Sequence, residues 1–359
     1  MNTKKENFKR EVLHFLSRQQ QRYPAMEQQD TVKFIFQAML GVGHLLSARP
    51  TVEDAVAREM NRLAADGSEP LYEMISPSWC RLHLRPAKAR GITPSAIAGM
   101  MLSAGDTAQF TREETAGFCE ECTAFVDQPV PDPDLLNRIR DTDWIPSHSD
   151  TYREKYRPAY RVIAAEWIPY LGVVQGISAR EAAAERLMVT IDGPCASGKT
   201  TLAGKLARVF SAAVVHTDDY VIPHAQKTPE RIAVPGGNCD ADRLAREVTV
   251  PWKRGEPVTT RRYDFRNDRL LPEEKLPECR ILILEGSYCN LPVIRECADI
   301  RVFLDTPREI RWERLRKRES PQSLQMFRDR WIPLEDHYFQ AYNLPDRGTV
   351  IAAPYGEQA

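Results

Sequence analysis

Met188-Val189-Thr190-Ile191-Asp192-Gly193-Pro194-Cys195-Ala196-Ser197-Gly198-Lys199-Thr200-Thr201 is the stretch from which the rest of the chain is read. A β-branched run gives way to Gly193-x-x-x-x-Gly198-Lys199-Thr200, and Thr201 to Phe210 then reads as a helix. A glycine-rich turn between strand and helix lets backbone N–H groups converge on phosphate oxygens at the positive end of the helix. Gly193, Ala196, Ser197, Gly198, Lys199, Thr200 and Thr201 are therefore the expected nucleotide-binding residues. Lys199 is expected to reach the β and γ phosphates, and Thr200 to offer its hydroxyl to Mg²⁺. Cys195 occupies a variable position of the motif and reads as filler, not as a regulated thiol.

Outward from this loop the pattern is that of alternating strands and helices. Short apolar runs at Leu187 to Ile191, Ala212 to His216, Arg280 to Leu284, Ile300 to Leu304 and Thr349 to Ala352 are separated by helical or loop segments. That alternation predicts an α/β fold, a three-layer parallel sheet with crossover helices, over residues 181–359. Ahead of it, residues 1–180 read as an all-α domain. Asp30 or Thr31 precedes an apolar stripe through Val32, Ile35, Ala38 and Met39; Thr51 with Asp54, and Thr111 with Glu114, have capping-box spacing; Thr93 stands before Pro94. The Ala- and Glu-rich Ser178 to Arg186 reads as a helical linker into the first strand.

A phosphate-binding loop is common to kinases, GTPases, motors and switches, so the acids at the strand ends must discriminate. The second predicted strand runs into Thr217-Asp218-Asp219-Tyr220, and the third into Leu284-Glu285-Gly286. Both put carboxylates at the carboxyl edge of the sheet, where open α/β sheets bind ligands. A phosphotransferase needs one acid for the acceptor hydroxyl and others for Mg²⁺ and its waters. No Asn-Lys-x-Asp element for guanine and no Ser-Gly-Gly signature of an ATP-driven transporter occurs in the chain.

Taken together, Gly193 to Thr201, Thr217-Asp218-Asp219-Tyr220, Arg262-Tyr263-Asp264-Phe265 and Leu284-Glu285-Gly286 resemble the uridine kinase and phosphoribulokinase family of P-loop kinases over residues 187 to 355. The resemblance implies an ATP-dependent, Mg²⁺-using kinase acting on a small-molecule acceptor, a nucleoside foremost. It implies Asp218 as the base toward the acceptor hydroxyl and a metal-side residue, with Glu285 supporting the metal. It further implies Asp219, Tyr263, Asp264 and Asp240 as substrate contacts, and a lid helix whose Arg314 and Arg318 close on the transferred group. The expected catalytic set is thus Asp218, Lys199, Glu285, Arg314 and Arg318, with Thr200, Glu285 and Asp218 around the metal. The alternative is a nucleotide-gated switch with the helical half as its effector.

Composition bounds the partners. Lys plus Arg total 49 against 50 Asp plus Glu, so no global field favours a nucleic acid or an anionic membrane. No apolar run approaches spanning length and the eight Cys form no framework, which predicts a cytoplasmic protein with reduced thiols; the isolated Cys119-x-x-Cys122 lacks the second pair of a zinc site. In the helical half, Gly41-Val42-Gly43-His44 interrupts a helix. His148-Ser149, followed by Tyr152, Arg153, Lys155, Tyr156, Arg157, Tyr160 and Arg161, brings basic and aromatic groups together. Such groups serve phosphate binding or, more often, an interface or solvated face.

Overall fold

The computed structural model describes residues 2–41, 49–103, 110–122, 133–141 and 144–353, with side chains from residue 5. The chain divides into two compact units, Met1–Ile168 and Pro169–Ala359. The division falls ahead of residue 180 because the helix Leu171–Glu181 (α1), part of which reads as a linker in the sequence, packs on the sheet of the second unit. Among the described residues no helix is long and apolar enough to cross a membrane.

The first unit is built mainly of helices, among them Asn2–Arg22, Gln28–Leu40, Arg49–Arg62, Pro94–Leu102 and Arg112–Cys122. Two predicted starts have the expected chemistry. Thr93 Oγ1 accepts from Ala96 N at 3.3 Å ahead of Pro94, and Thr111 and Glu114 bond each other's backbone reciprocally, at 3.1 and 2.8 Å. At Gln28–Leu40 the cap is Glu27, and Asp30 is the third helical residue closing the box, not the cap itself. The helix Arg49–Arg62 already includes Thr51. Gly41 follows the helix end at Leu40, whereas Val42 to His44 lie outside the described residues.

One expectation for this unit needs correcting, because it is not all-α. Tyr72–Met74, Trp79–His83 and Tyr160–Ala164 form a three-stranded antiparallel sheet. Trp79-Cys80-Arg81-Leu82 is buried along its length, so no in-out alternation marks it. Cys119 and Cys122 are both buried free thiols, raised by that burial, on one helix.

The second unit holds a five-stranded parallel sheet: β1 (Leu187–Asp192), β2 (Ala213–His216), β3 (Ile281–Glu285), β4 (Ile300–Leu304) and β5 (Thr349–Ala352). Its order is β5-β4-β1-β3-β2, with β1 central and every residue of it buried. Burial on both faces is why β1 and β3 read as continuous apolar runs. The α2 helix (Lys199–Phe210) lays Leu202, Ala203, Leu206, Val209 and Phe210 on this sheet. Each large side chain so buried stabilises the unit by roughly 1.5–3 kcal/mol. Because β1 is flanked by β3 on one side and β4 on the other, the chain leaves its carboxyl end at a topological switch point, where open sheets form a crevice.

Candidate functional site

The loop after β1 has the backbone that its glycines predict. Gly193 has φ +140°, and a Cβ there would come 2.7 Å from Leu304 O. Ala196 also lies at positive φ, +57°, a conformation that costs an L residue energy and is stored at the phosphate-binding turn. The α2 helix begins at Lys199 without a side-chain cap, so its first-turn N–H groups have no partner from the cap residue. Lys199 Nζ donates to Gly193 O at 2.7 Å and Pro194 O at 3.1 Å. Ser197 Oγ is buried with no hydrogen-bond partner. A cation held by two backbone carbonyls, beside orphaned donors, is what a polyphosphate could rearrange and satisfy.

Behind the loop stand residues that the sequence reading missed. Asp192, the last residue of β1, is fully buried; it accepts from Gly193 N at 2.7 Å, Tyr338 OH at 2.7 Å, and Asn290 N and Nδ2 at 3.2 Å each. Burial nevertheless pushes its carboxyl up to about 6, against those hydrogen bonds and the Lys199 charge. The helix α4 (Ile332–Ala341) supplies Tyr338 and, one turn earlier on the same face, Glu335, which accepts from Cys195 N at 2.8 Å and from Ser287 Oγ. The position of Asp192 immediately before Gly193 was a signal that could have been used. Glu335 and Tyr338 had none, because they reach the loop from 140 residues away and more.

The predicted acids converge. Glu285 ends β3, buried, and its Oε1 accepts from Thr200 Oγ1 at 3.1 Å and lies against His216 Nδ1. That contact with Glu285 raises His216 above the ordinary imidazole range, with burial opposing. Gly286, next in the chain, has φ +130°, and a Cβ on it would come 2.1 Å from Thr217 Oγ1; this close approach brings the ends of β3 and β2 together. Asp218 is open to solvent in the short turn after β2. The protein crowded around its carboxyl raises it; Glu285 adds to the rise, while Lys199, His216 and Arg318 oppose it. Lys199, Glu285 and Asp218 therefore act on one small volume at the carboxyl edge of the sheet.

The remaining predicted residues have more local partners. Arg314, on the helix α3 (Arg308–Arg318), donates through Nη1 to Ala196 O at 2.8 Å and Ser197 O at 3.0 Å, bracing the loop backbone. Arg318 pairs with Glu319 at 2.7 Å and is mostly exposed. Asp219 is raised chiefly by burial, with the charges of His216 and Arg262 opposing, and its backbone oxygen accepts from Arg243 Nη2 at 2.9 Å. Asp240 caps a helical turn, accepting from Arg243 N at 3.2 Å and Nε at 3.3 Å. Asp264 caps a hairpin turn through Arg266 N at 3.1 Å and Asn267 Nδ2 at 2.7 Å, and the Tyr263 hydroxyl donates to Asp268. Arg243, not singled out in the sequence, is buried with its guanidinium 4.1 Å from the Tyr220 ring centroid, and joins these segments.

Residues 188–322 match the model of the Phosphoribulokinase / Uridine kinase family. Among solved structures, a possible uridine kinase from Bacillus stearothermophilus is 24% identical, with a TM-score of 0.38, over 47% of this chain and 89% of its own. A candidate fructose transport system kinase from Silicibacter sp. TM1040 is 22% identical, with a TM-score of 0.41, over 51% of this chain and 97% of its own. A sugar kinase from Janibacter sp. HTCC2649 is 20% identical, with a TM-score of 0.26, over 48% and 87%. No curated protein matches.

Proposed function

With residues 188–322 matching the P-loop kinases of the phosphoribulokinase and uridine kinase family, we propose that the protein transfers the γ-phosphoryl group of ATP to a hydroxyl of a small molecule, a nucleoside first among the candidates. The observation that carries this reading is the convergence of Asp218, Lys199 and Glu285 at the carboxyl edge of the sheet, with Asp218 open to solvent and its carboxyl raised. A switch that only binds nucleotide needs acids for Mg²⁺ but none to take a proton from an acceptor hydroxyl.

In this mechanism the loop amides and Lys199 hold the phosphates, and Lys199 exchanges its carbonyl partners for phosphate oxygens. Asp218 accepts the proton of the acceptor hydroxyl as that oxygen bonds to the γ phosphorus and the bond to the β-phosphate oxygen breaks, leaving ADP. Its raised pKa, caused first by burial, strengthens it as a base. Thr200 and Glu285, whose oxygens are 3.1 Å apart, together with Asp218 would hold Mg²⁺. When bound, the ion neutralises charge on the phosphates, and its preference for few protein oxygens suits this sparse set. His216 orients Glu285 from the side. Arg314 holds the loop, and Arg318 is the lid residue nearest in influence to Asp218.

Acceptor specificity lies with Asp219, because Tyr263, Asp264 and Asp240 are engaged in turn and cap bonds. The test is ADP formation with ATP and Mg²⁺ against uridine, cytidine, nicotinamide riboside, pantothenate and ribulose 5-phosphate. Acceptor-dependent ADP with one of these classes is expected. Nucleotide bound tightly but never turned over with any acceptor would favour the switch.

A further inference from the structure

The helical unit carries a second concentration of positive charge that the kinase reading does not use. A cleft of about 740 Å³ opens there, within the range of small-molecule sites, and Lys33, Arg62, Arg85, Arg153, Arg157 and Arg161 line it. One carboxylate, Glu59, is on the same wall, 2.6 Å from Arg161 Nη2. Arg153 pairs with the exposed Asp150 at 2.6 Å. Among the described residues Lys33, Arg62, Arg85 and Arg157 make no salt bridge, so the cleft has a positive excess although the whole chain carries a net charge of −1.

The floor beneath this excess is fixed. His148 Nδ1 lies 2.7 Å from Asp30 Oδ1, its Nε2 lies 2.7 Å from Tyr160 OH, and that hydroxyl donates to Gln37 Oε1 at 3.2 Å. Asp30 also accepts from Ser149 N at 3.0 Å, which anchors the segment carrying Arg153, Arg157 and Arg161. Just below, Arg81 is buried with Nε and Nη2 unpartnered, its guanidinium 4.0 Å from the centroid of Phe34 and 4.6 Å from that of Tyr160. Burial pushes Lys33 down to about 8, and the Arg81 charge adds to the fall. Leu63, Met101, Pro158 and Val162 give the cleft apolar walls. A solvated helix face would keep its cations apart in water; here they converge on a concavity at a cost in mutual repulsion that an anion would relieve.

We propose that this cleft binds the phosphate group of a phosphorylated small molecule, gripped by Lys33, Arg62 and Arg157 with the organic part against the apolar walls. Arginine forks and a lysine are the groups that recognise phosphate oxygens. The concave shape and local charge fit a small ligand better than a nucleic acid strand, which needs an extended basic track.

The test is equilibrium binding of radiolabelled inorganic pyrophosphate to the full chain, with the P-loop saturated by a non-hydrolysable ATP analogue so that only other anion sites report. Saturable binding is expected, weakened tenfold or more in Lys33→Gln/Arg157→Gln and also in Arg62→Gln, and unchanged in Arg138→Gln, which removes the same single charge as Arg62→Gln elsewhere on the unit. A far-UV melt of each variant checks that it is folded, and Arg62→Gln, at an exposed position, keeps the test valid should Lys33→Gln disturb the core. Absence of binding, binding indifferent to both cleft variants, or an equal loss in Arg138→Gln would overturn the proposal.

Discussion

The two units gather positive groups by opposite means. In the second, the cradle is backbone: consecutive residues from Gly193 to Thr200 bend so that amides and one lysine face a single point. In the first, it is side chains: Lys33, Arg62, Arg85, Arg157 and Arg161 arrive from separate elements onto a floor held by Asp30, His148 and Tyr160. A backbone cradle depends on φ/ψ angles that few residues tolerate, so it leaves a contiguous signature. A side-chain cradle depends on long, adaptable groups and leaves almost none.

The sharpest way to break the comparison is through the backbone. Gly286→Ala puts a methyl 2.1 Å from Thr217 Oγ1 at φ +130° and should destabilise the second unit by about 3 kcal/mol, read by urea denaturation. A loss under about 0.5 kcal/mol would mean that the strand ends are not locked together. Next in size comes the response to pH. Burial holds His148 down to about 4, despite its hydrogen bond to Asp30, so its stabilising contribution is present above the usual imidazole range and lost as pH falls from about 6.5 toward 4; the loss is on the order of 2–3 kcal/mol. Asp30 moves in the same sense at lower pH: burial raises it, but hydrogen bonds from His148 and Ser149 outweigh that and leave it lowered.

Asp192 runs the other way. Raised by burial to about 6, it favours folding most at low pH and loses that contribution as pH rises from about 4 through 6. Acid should therefore weaken the first unit while relieving the second, and His148→Gln should flatten the slope of thermal stability between pH 6.5 and 4. An unchanged slope would contradict this. The smallest effect is Tyr160→Phe, which removes a hydroxyl bonded to His148 and Gln37 and should cost about 1 kcal/mol in the same denaturation assay, a third of the Gly286 effect.

Legibility in the sequence follows the same division. The five strands of the second unit stand within a residue or two of where their apolar runs put them; β1 and β3, buried on both faces, are continuous apolar runs closed by Asp192-Gly193 and Glu285-Gly286. The strands of the first unit were not legible: Trp79–His83 is buried without alternation, and its partner Tyr160–Ala164 lies some eighty residues on. In the site, Asp218 and Glu285 were readable as acids at strand ends. Tyr263, Asp264 and Asp240 read as substrate contacts on resemblance alone, and their hydrogen bonds go to turns and a cap. His216 hid in the apolar run of β2, and Glu335 with Tyr338 hid on a helix whose face toward the loop is set only by tertiary packing.

The central claim is that Asp218 handles the acceptor's proton, while the loop grips nucleotide independently of it. Measuring nucleotide affinity and acceptor phosphorylation side by side in Asp218→Asn addresses it directly. The account predicts nucleotide binding within about threefold of the parent and phosphorylation lower by roughly 10²–10⁴. Phosphorylation that persists at the parent rate, or nucleotide binding that collapses with it, would contradict it.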